Sequence, residues 1–341
     1  MKSKLSRFAV PYVVWMAIFV VAPIVIMVIY AFSGAEGGFT LDNFTQMGGY
    51  AAVFGRSFKL ALIATAICLL MGYPVAYLLS REGESFRRTA MVLIMLPMWM
   101  NFLLRTYSWM TILENNGLLN QLFQKLGIIA LYNHLTGSQL EYFTMIDTQG
   151  AVVLGMVYNY LPFMILPIYS VIVKLDNSLL EAAQDLGAGS SRVFRKIILP
   201  LSLPGVLSGI TMVFVPAVST FAISRLLGGN NLMLLGNLIE MQFVGTAYNP
   251  HLGSAISLVM MVVVVICMAV MNRFGEGEEQ AHQNHQDAIA DGVAFSLSHS
   301  ITACSSPSPK RFMTSIQITT TTIITREMAA PSWGLYAPPR N

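Results

Sequence analysis

The chain has 341 residues, 55% of them hydrophobic and 11% charged, with a formal net charge of +3 and a mean hydropathy of +0.62. Globular domains carry roughly 25% charged residues, so an ordinary water-soluble domain is excluded, and most of the chain belongs in lipid or against other apolar helices. The small net charge, with no basic block interleaved with aromatics, excludes a nucleic-acid surface.

A spanning helix needs about 20 apolar residues. Six stretches approach that: Phe8–Phe32, Ser57–Ser80, Met91–Leu113, Ala151–Val173, Gly205–Ser224 and Leu252–Met271. None shows the period-two alternation of a barrel strand. The first follows Lys2, Lys4 and Arg7 but is too long for the 7–15 apolar residues of a signal peptide, so it reads as an uncleaved span. Arg81, Arg87 and Arg88 fall after the second span, Lys174, Arg192, Arg195 and Lys196 after the fourth, and Arg273 after the sixth. The opposite side carries only Arg56, Lys59, Lys125 and Arg225. By the positive-inside rule both termini are cytoplasmic. The expected fold class is an all-α membrane protein with six transmembrane helices and both termini cytoplasmic.

The outer loop from Glu114 to Gly150 contains Leu119, Leu122, Phe123 and Leu126 at helical spacing, followed by Gly127. That pattern predicts a short amphipathic helix that caps the bundle. Pro162, Pro167 and Pro216 interrupt the backbone ladder of spans four and five, as a gated pathway or ordinary kinked packing would require.

Between spans four and five, Leu179, Ala182, Ala183 and Leu186 fall at i, i+3, i+4 and i+7 and line one helix face. Ser178 with Glu181 reads as a capping box, and Gly187 as a left-handed stop. A second short helix follows, with Val193, Phe194 and Ile197 on one side, Arg192, Arg195 and Lys196 on the other, and Pro200 as its end. The result is a helix-glycine-helix elbow over residues 178–200. On the residues alone two readings stand: the alanines receive a partner's backbone, or they pack under the spans while Glu181 only caps.

From Gly275 the character changes. Glu276, Glu278 and Glu279 lead into a Ser-, Thr-, His-, Gln- and Pro-rich stretch with the run Thr319–Thr322. No apolar period persists, so this stretch is expected to be disordered and reads as a fused or frame-shifted end. The expected organisation is thus a permease domain over 1–274 and a tail over 275–341. Cys68, Cys267 and Cys304 form no spaced pattern, and His282 and His285 lack the Cys or acidic partners of a metal site. No metal or cofactor is expected.

Glu181-Ala182-Ala183, Gly187 four residues on, and Ile197-Ile198-Leu199-Pro200 resemble the EAA loop of bacterial ABC importer permeases. Pro97-Met-Trp99-Met-Asn101-Phe-Leu-Leu-Arg105-Thr-Tyr107, Gly117-Leu-Leu-Asn120, Leu161-Pro-Phe-Met-Ile-Leu-Pro167 and Lys174-Leu175-Asp176 are similar to the spermidine/putrescine permeases. The resemblance covers most of residues 8–273. It implies a multi-pass protein of the bacterial plasma (inner) membrane that forms the path for a polyamine. Its implied partners are ABC ATPase subunits, a second, non-identical permease and a periplasmic or extracellular solute-binding protein. Glu181, Ala182, Ala183, Asp185 and Gly187 would then make the coupling contact with the ATPase. A P-loop needs Gly-Lys before Ser or Thr, and no Gly-Lys dipeptide occurs, so ATP is expected on the partner and this chain is not an enzyme.

Candidate path residues are Trp99, Asn101, Arg105, Tyr107, Tyr158 and Tyr160. Aromatic faces attract amines, although aromatics near span ends are commonly interface anchors. Arg105 has the sign that repels a polycation, and its other reading is a salt bridge or carbonyl contact that fixes span three. No Asp or Glu lies well inside a predicted span. A permease for an anion, sugar or amino acid is the alternative. An ion-driven secondary transporter would show internal repeats and midplane acids, and neither is present.

Overall fold

Residues 11–271 and 273 are described in the computed structural model, apart from 35–36, 176, 186, 230–231, 246 and 272; the side chains of 177–179 and 182 are also outside it. The tail, with Cys304, His282 and His285, and the N-terminal Lys2, Lys4 and Arg7 lie outside the described residues.

Four helices are long and apolar enough to cross a membrane, and two bent pairs bring the number to six if each pair is one span. The first helix, α1 (Pro11–Ala31), contributes no buried residue from its most apolar window. It meets the rest through its end, where Tyr30 stacks on His251 at 5.2 Å. Asn43 pins the following turn by donating to the carbonyls of Ala31 (3.0 Å) and Ser33 (3.1 Å). A short α2 (Asp42–Met47) then leads into α3 (Ala51–Arg81).

The third span is not the continuous helix Met91–Leu113 read from the sequence. It is α4 (Glu84–Trp99) and α5 (Phe102–Leu113), and the arm from Phe102 on to Lys125 turns 89° from α4. The cause is local. Met100 is extended, and the Asn101 side chain accepts hydrogen bonds from the amides of Leu103 (2.9 Å) and Leu104 (3.3 Å), which starts a new helix. Pro97 sits one turn before the break.

The expected amphipathic helix is α6 (Leu118–Lys125), and Gly127 stands at φ +70° as the sequence requires. Leu119 packs on the core while Leu122 and Leu126 stay exposed. A further helix, α7 (Ile128–Thr136), follows. Thr148 caps α8 (Gln149–Ile172) by accepting from Ala151 N at 3.1 Å, and the helix continues through Pro162 and Pro167.

The elbow consists of α9 (Asn177–Asp185) and the arm α10 (Ser190–Leu201). Beyond a 60° bend comes α11 (Leu203–Ser219). The fifth span therefore stops earlier than the expected Gly205–Ser224, because Thr220 is extended. The chain then turns into α12 (Ala222–Leu227) and α13 (Leu235–Phe243), and ends its described course in α14 (Pro250–Met271).

Helices α3, α8 and α11 pack side by side as the centre of the bundle. Two apolar clusters occupy that centre. One joins Leu60, Met156, Phe214, Ile223, Leu235 and Ile256; the other joins Cys68, Met164, Ile168, Ile198 and Val213, towards the elbow. The α8–α11 contact depends on Gly205 and Gly209. A Cβ at Gly209 would lie 2.8 Å from Met164 Sδ and 3.2 Å from its carbonyl, and one at Gly205 2.9 Å from Pro167 O. This Gly-x-x-x-Gly pair lets the two backbones approach.

The segment between the fifth and sixth spans is not a surface loop. Leu227, Leu234, Leu235 and Leu238 are buried, and Leu235 N donates to Ser57 Oγ at 2.8 Å. It closes the end of the bundle opposite the elbow.

Candidate functional site

The elbow is a helix stopped by a specific turn. Gly187 stands at φ +81°, Ala188 N donates to Ala183 O at 3.0 Å, and Gly187 N donates to Gln184 O at 2.8 Å. This pair of bonds is a Schellman motif, which satisfies two of the carbonyls left open at a helix end. The start differs from expectation. Asn177 already belongs to α9, so Ser178 falls inside the first turn and the capping box with Glu181 is not the boundary; position 176, before it, lies outside the described residues.

The two faces of α9 are distinct. Leu180, Ala183 and Ala188 pack against the cluster of Met164, Ile168 and Val193. Glu181, Gln184, Asp185 and Gly187 are exposed. Of the expected coupling residues, Glu181, Asp185 and Gly187 thus share an outward surface, whereas Ala183 seats the helix on its own bundle. The side chains of Leu179, Ala182 and Leu186 lie outside the described residues.

Arm α10 carries the expected division, with Val193 and Ile198 buried, Phe194 and Ile197 half-buried, and Arg192, Arg195 and Lys196 exposed. Pro200 does not end it. A wide π turn over Phe194–Ile198 precedes the proline, and the helix runs on to Leu201 before bending. The wide turn opens the ladder just where the proline ring would crowd it.

Phe194 faces two tyrosines of α3. Its ring meets Tyr73 edge-on at 5.8 Å and Tyr77 at 5.1 Å. Tyr73 Oη and Ser202 Oγ share a hydrogen bond of 2.8 Å, at the bend between α10 and α11. Arg81 donates to Tyr77 Oη at 3.0 Å, and its guanidinium carbon lies 5.1 Å from that ring.

The candidate path residues do not form one site. Trp99 is 75% exposed at the corner between α4 and α5, and Tyr107 is also exposed. Asn101 is committed to capping α5. Tyr160 borders both core clusters, with its hydroxyl 3.4 Å from Pro216 O. Only Arg105 and Tyr158 come together: Arg105 is 9% exposed, with its guanidinium carbon 5.9 Å from the Tyr158 ring. Trp109 meets Tyr158 edge-on at 5.3 Å. The salt bridge or carbonyl contact expected of Arg105 is not made among the described residues, and its Nε is buried without a partner. The aromatic face takes that place.

Beside this cluster, Lys59, Ile63, Ile67, Trp109, Leu154 and Tyr158 border an apolar groove of about 650 Å³. Asn159, 3% exposed and unremarked in the sequence reading, donates to Gly155 O at 2.8 Å and leaves its Oδ1 unpaired. A polar side chain within an apolar run was the available signal. No group of three or more metal-ligating side chains occurs among the described residues.

The sequence profile of the binding-protein-dependent transport system inner membrane components matches residues 69–276. The chain is 37% identical over 267 residues to a spermidine/putrescine transport system permease protein of Haemophilus influenzae, covering 76% of this chain and 90% of the relative. It is 36% identical over 264 residues to the corresponding protein of Escherichia coli K12, with 75% and 92% covered. An inner membrane ABC transporter permease of the same bacterium is 27% identical over 257 residues, with 70% and 82% covered. Among solved structures, a bacterial ABC transporter involved in alginate import superposes with a TM-score of 0.63 at 17% identity, covering 80% of this chain and 94% of that one. That likeness concerns the fold.

Proposed function

The chain belongs to the family of binding-protein-dependent transport system inner membrane components, and from that membership we propose that it forms the translocation path for a polyamine such as spermidine or putrescine. It is a multi-pass inner membrane protein and a transport subunit of an ABC importer rather than an enzyme. The observation that carries the substrate is the 36–37% identity to spermidine/putrescine permeases over three quarters of the chain.

In this reading both termini and the elbow are cytoplasmic, and α9 docks on a separate ATPase subunit through Glu181, Asp185 and Gly187. Ala182 completes the motif that the family uses there. Asp185 supports the assignment on physical grounds. A carboxylate in the last turn opposes the helix dipole, at a cost of a few tenths to about 1 kcal/mol, and a cationic partner surface would offset it. ATP is bound by that partner. A second, non-identical permease encloses the other side of the path, and a soluble binding protein delivers the solute to the end that α12 and α13 close. ATP-driven closure of the ATPase pair displaces the two elbows and alternates access.

A permease for an anion is the second reading, because buried Arg105 presents a positive charge beside Tyr158. Uptake of labelled putrescine by the reconstituted complex separates the two. Unlabelled spermidine should compete and an inorganic anion should not; the reverse result overturns the polyamine reading.

A further inference from the structure

We propose that Phe194, wedged between Tyr73 and Tyr77, is the positioning residue that transmits movement of the elbow to helix α3. The proposal rests on the ABC-importer reading above and adds where the force passes after α9 has moved.

The elbow meets three helices of the bundle. It follows α8 in the chain and rests on Met164 and Ile168 of that helix through Leu180 and Ala183. It runs through α10 and the bend at Ser202 into α11, and it crosses laterally to α3. The lateral route is narrow: Phe194 meets Tyr73 and Tyr77, one turn apart on α3, both edge-on. Aromatic pairs in this geometry have directional preference, because the positive ring edge faces the negative ring face. The ring therefore fixes an angle as well as a distance, which a branched aliphatic side chain of similar bulk does not.

Two further contacts hold the receiving side. Tyr73 is tied to Ser202 at 2.8 Å, so α3 is fastened to the bend itself. Arg81 covers Tyr77 and bonds its hydroxyl, which keeps the outer ring from swinging free. Both tyrosines thus have their hydroxyls occupied and their rings committed to Phe194. The geometry is that of a clamp, with α3 as the jaw and α10 as the held part.

The π turn supplies the compliance. It begins at Phe194, where the ladder widens to bonds spanning five residues, the amide of Leu199 reaching back to Phe194 O. Wide turns of this kind recur at functional sites. With Phe194 gripped by α3, displacement at α9 is absorbed as rotation of α3 together with α10 rather than as unwinding of the arm. Displacement without the grip would be spent in the π turn and at the 60° bend beyond it.

The test uses the whole complex, reconstituted with its ATPase, partner permease and binding protein. Spin labels at exposed Ser191 on α10, outside the docking contact, and at exposed Leu78 on α3 report the elbow-to-jaw distance, and ATP consumed per labelled putrescine imported reports coupling. With Phe194 in place the distance distribution should be narrow and unchanged by ATP. Phe194→Ala and Phe194→Leu should broaden it and raise the ATP-to-putrescine ratio at least five-fold, at unchanged membrane abundance and unchanged co-purification of the ATPase. Phe194→Tyr, which keeps the ring, should restore the narrow distribution and bring the ratio to within two-fold of wild type. The proposal is overturned if Phe194→Ala leaves the distribution narrow, if Phe194→Leu matches Phe194→Tyr, or if uptake falls only in step with abundance. Should the wild-type complex import no putrescine, the polyamine reading fails, and the label distances still decide the clamp.

Discussion

Gly187 and Glu181 sit six residues apart on the elbow and answer different questions. The φ of +81° at Gly187 is one that L side chains adopt at a cost of roughly 1–2 kcal/mol, more for a β-branched residue. Gly187→Val should therefore break the Schellman turn and uncouple transport while the spans still insert. Glu181 is exposed in the second turn of α9, past the helix start, so replacing it should change stability by no more than about 0.5 kcal/mol. Glu181→Lys should abolish uptake at normal membrane abundance and weaken co-purification of the ATPase, whereas Glu181→Gln separates charge from shape. If both variants transport normally with ATPase bound, Glu181 is not in the docking contact.

Arg105 is the other residue with a sharp expectation. Its guanidinium rests on Tyr158 and fixes α5 against α8, a contact worth about 1–2 kcal/mol when shielded from water. Arg105→Ala should lower the melting temperature of the purified permease and leave the KM for putrescine unchanged. A lowered KM, with uptake rising as the charge is removed, would instead place Arg105 in the path. The sequence identified Arg105 as an intramembrane charge but could not identify its partner, because an aromatic face 53 positions away leaves no local pattern. Asn159 was missed for a related reason: its bond to Gly155 O is an ordinary i−4 contact, hidden within a span whose apolar neighbours dominate.

Among the helix pairs, the α8–α11 contact leaves no room for added volume at Gly205 and Gly209. Gly209→Val would push atoms against the Met164 backbone, which cannot move as a side-chain tip can, and overpacking of this kind costs about 1–3 kcal/mol. Membrane abundance should fall, and the surviving protein should keep the wild-type ATP-to-putrescine ratio. Purified yield and coupling measured together check this, since a changed ratio would mean the helix contact also works in transmission.

Hydrophobic periodicity reveals some of these helices and hides others. Spans one, two, four and six were legible as long apolar runs, as were α6 with its Gly127 stop and the elbow with Gly187. The break at Met100–Asn101 was not, because Asn101 inside an apolar run looks like a tolerated polar residue until its bonds to Leu103 and Leu104 are seen. Nor was the burial of Leu234, Leu235 and Leu238, whose apolar run is too short to span a membrane. Pro200 misled in the opposite direction, since the preceding π turn lets the arm continue through it.

The family match stops at residue 276, before most of the polar tail. Removing residues 281–341 should leave putrescine uptake within about two-fold of the full chain at matched expression, and loss of membrane insertion on truncation would contradict that.

The cornered third span has a consequence for the surrounding lipid. Arg87 and Arg88 need water or headgroups, so the part of α4 free to sit in hydrocarbon runs from Ala90 to Trp99, about 15 Å at 1.5 Å per residue. The hydrocarbon core is about 30 Å thick, and the arm beyond the corner turns 89° from α4 instead of extending it. A bilayer beside this corner must thin, or admit water to the backbone groups of Met100, at a cost of a fraction of a kcal/mol for each ångström of mismatch. Uptake should accordingly depend on acyl-chain length. In vesicles of monounsaturated lipids, the rate should be highest with short chains and fall as the chains lengthen. A rate indifferent to chain length would mean that protein, not lipid, covers the corner.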